Sequence, residues 1–507
     1  MKRIVSLFTA LTMVLCLFSA CTDGSGTSKK KDKDSSKGNS IIDKFTDGAK
    51  DDVNDDGKLS GAELSYFYID AINNYCNQYS DYLYYFLDPG APLNEQYYDE
   101  ATNQTWADIF VEMALDSAKN NYALYNAAKA AGYTLTAEEQ ESIEETFKQL
   151  ETVAENYGYR SANAYLKALY GDDASLDSFK AYYEVTALAN SYYTAYSAQI
   201  EADVTDAALR EYEADKRYEY NSYSYDSYFL DVDIYKGVGT EDANGNITYT
   251  DAEIAAAEAA LKVAAEAAKE QMDSLYVTEN KDVRYNNVNA AVQEWIRGDR
   301  MAGDVAALPY SVTSFGDGTE VETLEGYYVV RFHSVNDNQF SLKDVRHILV
   351  SYEGGTTDDY GMTTYSDAEK NAARVKAEEI LEQWLSGDRT EASFAALATE
   401  KTMDSDSREN GGLYEGIYPG QMVQPLEDWC YEASRMVGDT GMIQTDYGYH
   451  VMYFSGNNEM TYRDFMVKND LVEETITNWQ TALNEATTIE LGNTDSLELD
   501  LILDHKE

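Results

Sequence analysis

The chain is poor in the residues that cross-link, ligate metals or neutralise anions. Four cysteines occur in 507 residues. Cys16 and Cys21 fall near the start, and Cys76 and Cys430 are too few and too far apart to form a disulfide framework. No Cys-x-x-Cys or His-Glu-x-x-His pattern is present, which argues against a zinc site. Lysine and arginine number 39 against 91 aspartates and glutamates, a formal net charge of −52. That deficit argues against nucleic acid as a partner, because affinity for a phosphate backbone comes from Lys and Arg. The same charge favours solubility and attracts basic or unfolded cationic chains. No serine triad or nucleotide-binding loop is visible, which sets hydrolase and kinase readings low. Prolines number 5 and histidines 4, whereas there are 44 tyrosines. A chain of 507 residues is too long for one core, so about two to four domains are expected.

Nor is there an apolar run long enough to span a bilayer at the start. Ile4 to Phe18 follows Lys2 and Arg3 and soon gives way to polar residues, so residues 1–21 read as an export signal. The signal ends in Leu17-Phe18-Ser19-Ala20-Cys21, which resembles a bacterial lipobox with Phe18 where leucine is usual. That resemblance implies cleavage before Cys21, thioether lipidation of Cys21 and an acyl anchor in the lipid bilayer. An ordinary signal peptide is the alternative. Residues 22–50 form a Lys/Ser/Gly/Asp linker without apolar periodicity, expected to be disordered.

Two readings fit Asp52 to Glu63. The stretch matches a calcium-binding EF-hand loop at ligand positions 1, 3, 5, 9 and 12, with glycine at 6. It also reads as a strand, a tight turn over Asn54 to Gly57, and a helix starting near Ser60 with Glu63 as its capping-box partner. From Leu64 to Ala198 the pattern is helical, and Asp206 to Tyr218 predicts one more helix.

The stretch from Ser341 to Gly456 organises the rest. It opens with a strand, Asp344-Val345-Arg346-His347-Ile348-Leu349-Val350, followed by an amphipathic helix from about Asp367 to Trp384. A short helix over Phe394 to Ala398 and a polar loop from Thr402 to Gly412 come next. Then come Gly420-Gln421-Met422-Val423, with Glu427 close behind, and finally Thr445-Asp446-Tyr447-Gly448-Tyr449-His450. In order and spacing this set resembles the parvulin-type peptidyl-prolyl isomerases. The resemblance implies a β-α-β sandwich, no cofactor, and two histidines side by side under a proline socket. Carried over residue by residue, it makes His347 and His450 the paired histidines and places Asp404 in hydrogen bonding to them, with Asp406 the alternative if the loop slips. Met422 and Leu426 wall the socket, with Leu426 where phenylalanine is common, and Gln421 and Tyr447 flank it. Gly411-Gly412-Leu413-Tyr414-Glu415 departs from the family's Gly-Gly-Asp-Leu-Gly, so Leu413 is the candidate for the pocket-lining leucine.

Residues Tyr223 to Val335 read as a second copy of this stretch. Tyr249-Thr250-Asp251-Ala252-Glu253 mirrors Tyr365-Ser366-Asp367-Ala368-Glu369. Arg300-Met301-Ala302-Gly303-Asp304 mirrors Arg435-Met436-Val437-Gly438-Asp439. Gly326-Tyr327-Tyr328 mirrors Gly448-Tyr449-His450, and Tyr228-Phe229-Leu230 is set against Arg346-His347-Ile348. The copy thus lacks both histidines and is expected to be inactive. The helical part resembles in pattern the chaperone module of PrsA-like and SurA-like foldases.

The expected chain is α+β and multidomain. A signal peptide (1–21) and linker (22–50) precede a helical chaperone domain (51–220). A degenerate parvulin-like domain (221–338) and a parvulin domain (341–457) follow, and a C-terminal helix and tail (458–507) pack back on the helical domain. The resemblance implies an extracytoplasmic, membrane-anchored isomerase acting on X-Pro bonds of unfolded or partly folded secreted proteins. Two rivals stay open: a non-catalytic chaperone that keeps the parvulin domains as scaffold, and a calcium-regulated surface binding protein built on the Asp52 loop.

Overall fold

The computed structural model describes residues 58–503, apart from 243–244, 317–318, 359 and 495–496. Cys21, the signal, the linker and residues 52–57 of the candidate calcium loop lie outside the described residues. The chain divides into two compact units, Met1–Asp203 with Val472–Glu507, and Val204–Leu471. Among the described residues no helix is long and apolar enough to cross a membrane.

Among its described residues the first unit includes the helices α1 (Gly61–Tyr79), α2 (Trp106–Ala131), α3 (Ala137–Asn156), α4 (Ala162–Tyr170) and α5 (Leu176–Ala202). Side-chain caps fix their starts. The Ser60 amide and hydroxyl donate to Glu63 at 3.0 and 2.7 Å, and the Glu63 amide returns a bond to Ser60 Oγ. The other Glu63 oxygen accepts the Tyr122 hydroxyl at 2.7 Å. The helix capped by Ser60 and Glu63 is thus present, whereas the expected strand and the turn over residues 54–57 lie outside the described residues; Lys58–Leu59 pairs in parallel with Glu490–Leu491. Many tyrosines are core: the buried Tyr66 ring lies 4.8, 5.3 and 5.0 Å from the rings of Tyr170, Phe179 and Tyr182. Trp479 packs on Tyr196 at 4.4 Å, and Leu497, Leu499, Leu501 and Leu503 lie against the same core. The helical run expected from Leu64 to Ala198 is broken by a small hairpin, Tyr97–Asp99 with Gln104–Thr105. The turn over residues 100–103 and the Thr105 cap of α2 leave no room for continuous helix there.

The second unit holds two four-stranded sheets. In the first lie β1 (Ser222–Asp231), β2 (Thr278–Arg284), β3 (Val305–Gly316) and β4 (Thr319–Asn336), in the order β2-β1-β4-β3. The second contains β5 (Ser341–Ser351), β6 (Leu413–Ile417), β7 (Thr440–Thr445) and β8 (Gly448–Thr461), in the order β6-β5-β8-β7. The helices of this unit are α6 (Asp206–Glu213), α7 (Asp251–Glu270), α8 (Ala290–Ile296), α9 (Asp367–Leu385), α10 (Glu391–Lys401), α11 (Ser405–Arg408), α12 (Gln424–Tyr431) and the start of α13 (Tyr462–Ala486). Helix α6 is shorter than expected. Arg463 of α13, buried, bonds Glu213, the Arg217 carbonyl, Asn221 and the Asp337 carbonyl. Those bonds hold residues 214–221 as turns.

The two sheets repeat one another down to their turns. Phe332 and Phe454 each exchange backbone bonds with a Gly-Asp pair, Gly303-Asp304 and Gly438-Asp439, at 2.8–2.9 Å. Arg300 Nε donates to the Trp295 carbonyl and Arg435 Nε to that of Trp429, at 2.7 and 3.0 Å. Thr250–Glu253 and Ser366–Glu369 form matching capping boxes. The register corrects one alignment. Ser227 pairs with Val330 as His347 pairs with Met452, so Asp226-Ser227-Tyr228, and not Tyr228-Phe229-Leu230, stand where Arg346-His347-Ile348 do. Both strands carry a bulge near their start. A slip of two residues keeps every side chain on its face, so apolar alternation does not reveal it.

Candidate functional site

Alternation along β5 and β8 divides the second sheet into two faces. Ile348, Val350 and Val451 point to α9 and α10, where they meet Ala377, Trp384 and Phe394. Val345, Met452 and Phe454 point to the other face, against Leu426 and Cys430 of α12. His347 and His450 share the phase of this second set. Both are 4% exposed. Their rings stack with centroids 5.2 Å apart, and their Nδ1 atoms are 3.0 Å apart.

Glycines bring the surrounding chain close. Gly412 has φ +74°, and a Cβ there would collide with the His347 carbonyl oxygen. Its own carbonyl accepts the His347 amide at 2.8 Å. The segment leading to it is pinned at Thr402, whose buried hydroxyl accepts the amides of Leu349 and Asp404 at 3.0 and 3.2 Å. Asp404 is thereby placed beside His347, its Oδ2 2.9 Å from Nε2. The exposed Asp406 is not. The expected polar loop over Thr402 to Gly412 contains one helical turn, α11, whose Ser407 hydroxyl also donates to Asp404.

A chain of hydrogen bonds crosses this face. Thr445 Oγ1 lies 2.8 Å from His450 Nε2, and the two Nδ1 atoms meet. His347 Nε2 then meets Asp404, which also accepts the Tyr414 hydroxyl at 3.0 Å. An ionised carboxylate only accepts. With both rings neutral the protons have one consistent placement: Asp404 requires Nε2–H on His347, whose Nδ1 then accepts from Nδ1–H of His450, whose Nε2 accepts from Thr445. The donors, His347 foremost, hold the Asp404 carboxyl well below the usual range. Burial first, and the neighbouring His347 second, push His450 down to about 4.

Among the other expected residues, Met422 packs on the cluster that includes Leu426, and Leu426 is buried in it on the histidine face. Gln421 turns its side chain to the Tyr418 amide at 3.1 Å. Tyr447 sits at the exposed tip of the β7–β8 hairpin, its amide bonded to Thr445 Oγ1. Leu413 is not brought to the site. It pairs with Arg346, whereas Tyr414 pairs with Val345. Paired residues share a face, so Tyr414 takes the place assigned to Leu413. Its ring meets that of His347 edge-on at 5.2 Å. Sequence reasoning also passed over Ser407 and Thr445 as site residues. Thr445 stands at the start of the closing motif, and its adjacency to a strand histidine was the available signal.

Residues 327–457 match the family model of the PPIC-type PPIase domain. This stretch belongs to the PPIC-type PPIase family. The chain is 27% identical over 192 residues to the foldase protein PrsA of a Geobacillus species, covering 35% of this chain and 69% of that one. It is 26% identical over 169 residues to the foldase protein PrsA of Staphylococcus epidermidis, covering 32% and 49%. It is 26% identical over 165 residues to the chaperone SurA of Chromohalobacter salexigens, covering 31% and 34%. The crystal structure of PrsA from Bacillus subtilis aligns with 79% of this chain and 95% of its own at 14% identity, with a TM-score of 0.25. The PPIC-type stretch accounts for both histidines, Asp404 and the Met422 cluster, whereas the first sheet lies almost wholly before it.

Proposed function

We propose that residues 341–457 catalyse cis–trans isomerisation of X-Pro bonds in unfolded or partly folded secreted proteins. In this reading the chain is an extracytoplasmic foldase held to the membrane by lipidated Cys21. The observation that carries it is the hydrogen-bonded run Thr445–His450–His347–Asp404, buried but for the half-buried Asp404, on the same face as Met422 and Leu426 within a PPIC-type domain.

The chemistry needs no bond cleavage. The barrier of about 18–20 kcal/mol is amide resonance, and a catalyst must bind the twisted amide better than either planar form. Twisting decouples the nitrogen from the carbonyl and lowers charge separation, so a dry apolar socket favours the twisted form. Met422 and Leu426 supply the apolar wall, and Gln421 and Tyr447 flank it. The histidines and Asp404 make a polar floor whose bonding capacity is used internally, so it stays rigid without drawing in water.

Residues 221–338 serve as a degenerate copy. Ser227, Tyr328 and Tyr310 occupy the places of His347, His450 and Thr445, and none supports the proton chain. The helical unit acts as a chaperone surface, for which the exposed rings of Tyr82, Tyr85 and Tyr97 are suited. A second reading, a chaperone without turnover, is favoured by one observation, the tyrosine in place of an apolar wall residue at 414. A protease-coupled or NMR exchange assay on a proline peptide separates the two, using the full chain and His450→Ala. Fast exchange lost in the variant supports the isomerase, and no exchange above background in either leaves the chaperone.

A further inference from the structure

We propose that Tyr414 is a positioning residue of this site: its hydroxyl locks the Asp404 carboxylate in line with His347 while its ring walls the same face. The inference rests on the isomerase reading for its consequence and on geometry for its content.

Asp404 needs such a lock. It stands at the N-cap of α11 but makes no side-chain capping bond there, so the helix does not orient its carboxylate. Its backbone is held through Thr402, which leaves the side chain free to turn. Three donors converge on its Oδ2: His347 Nε2, Ser407 Oγ and the Tyr414 hydroxyl. Ser407 lies on the same short helical turn as Asp404 and moves with it. Tyr414 comes from β6, which pairs with β5, the strand that carries His347. Of the three donors, Tyr414 and His347 are the two that the sheet itself carries; Ser407 Oγ also lies 3.2 Å from His347 Nε2.

The phenol is suited to this task. Burial first, and the Asp404 charge second, push its ionisation well above the ordinary tyrosine range, so it remains a donor at every working pH. By holding Asp404 it holds the proton on His347 Nε2, and through that the donor direction at the histidine pair. The titratable groups facing Asp404 are His347 on β5, Tyr414 on β6 and, further off, His450 on β8, with Asp406 on its own segment facing Tyr414.

The test uses the full chain with Tyr414→Phe and Tyr414→Leu, and Tyr360→Phe, a fully exposed tyrosine, as control. Two readouts are taken: kcat and KM for a proline peptide between pH 4 and 8, and ring nitrogen shifts in 15N-histidine-labelled protein, which has only 4 histidines. For Tyr414→Phe the expectation is a fall in kcat of roughly tenfold, the worth of one bond to a charged group, with KM nearly unchanged. The His347 nitrogens should drift toward a mixture of tautomers. Tyr414→Leu should raise KM as well, because it also removes the ring. Wild-type kcat and His347 shifts in Tyr414→Phe would overturn the proposal. If the wild type shows no turnover, the isomerase reading falls, and the nitrogen shifts alone still decide for or against the lock.

Discussion

Thr445→Val is the sharpest test of the directional histidine chain. The substitution keeps shape and removes one donor. Thr445 is 8% exposed and His450 4%, so water does not readily replace the lost hydroxyl. A buried acceptor left without its donor costs about 1–3 kcal/mol. The methyl that replaces the hydroxyl returns about 0.8 kcal/mol of apolar burial. The Tyr447 amide, which also bonds Thr445 Oγ1, lies at the hairpin tip and finds water instead. From the middle of that range, about 2 kcal/mol, the net loss is about 1 kcal/mol.

Relaxation by tautomer exchange does not rescue the variant. A proton moved to His450 Nε2 sets two bare Nδ1 atoms against each other at 3.0 Å. Moving the His347 proton as well turns a lone pair toward the Asp404 carboxylate. Every escape from one broken bond breaks another. The assay is amide hydrogen exchange at Ile348 and Val451, which pair across β5 and β8. A loss of about 1 kcal/mol speeds exchange roughly fivefold, and Thr445→Ser should stay near wild type. Exchange within twofold of wild type in Thr445→Val would show that the chain does not run in the direction assigned.

The remaining predictions concern pH, backbone and buried charge. His450 is pushed down to about 4 from an ordinary 6.5, so between those values the unfolded chain binds a proton that the folded one refuses. Stability therefore rises with pH across that window, by about 3 kcal/mol from this group; the protection factor at Val451, its exchange rate referred to the intrinsic rate at each pH, compared at pH 4.5 and 7 reads it, and equal protection factors refute it. Gly412→Ala forces a left-handed φ and a collision with the His347 carbonyl, which costs about 2 kcal/mol or more and should abolish isomerase turnover; wild-type stability in urea denaturation counts against the close approach. Arg463→Met removes the buried partner of Glu213, which keeps its exposed partner Arg210, and should cost about 2–3 kcal/mol, read as a lower urea midpoint for the Val204–Leu471 unit.

How much of this was legible in advance depended on what each feature rests upon. The paired histidines and Asp404 lie on or beside strands whose phase is set by alternation, so motif order sufficed to bring them together. Capped helices were visible for the same local reason: Thr250, Ser366 and Ser60 each precede a glutamate by three residues. Leu413 was misplaced because one residue of register decides which face a strand side chain occupies. That register is set by Gly411 and Gly412, both at positive φ, and nothing in the composition reveals it. The truncation of α6 was hidden for a different reason. Its cause, Arg463, is 250 residues from Glu213 in the sequence.

The two sheets show which part of such a site is scaffold and which is chemistry. Their shared features are backbone devices: the Gly-Asp bonds to Phe332 and Phe454, the Arg–Trp carbonyl contacts, and Gly326 and Gly448, where a Cβ would meet the neighbouring strand. These devices fix strand order and register, and the sheet needs them whatever its face carries. Their differences lie where donors and acceptors are required. In the first sheet α7 passes through a short turn, Met272–Ser274, directly into β2. The second sheet inserts α10 and the Thr402–Gly412 segment at the corresponding place. Among the described residues, Ser227 at the position of His347 therefore faces no counterpart of Asp404, and histidines placed at Ser227 and Tyr328 would lack the acceptor that orients the pair. The missing insertion, more than the two missing histidines, separates the copy from the site.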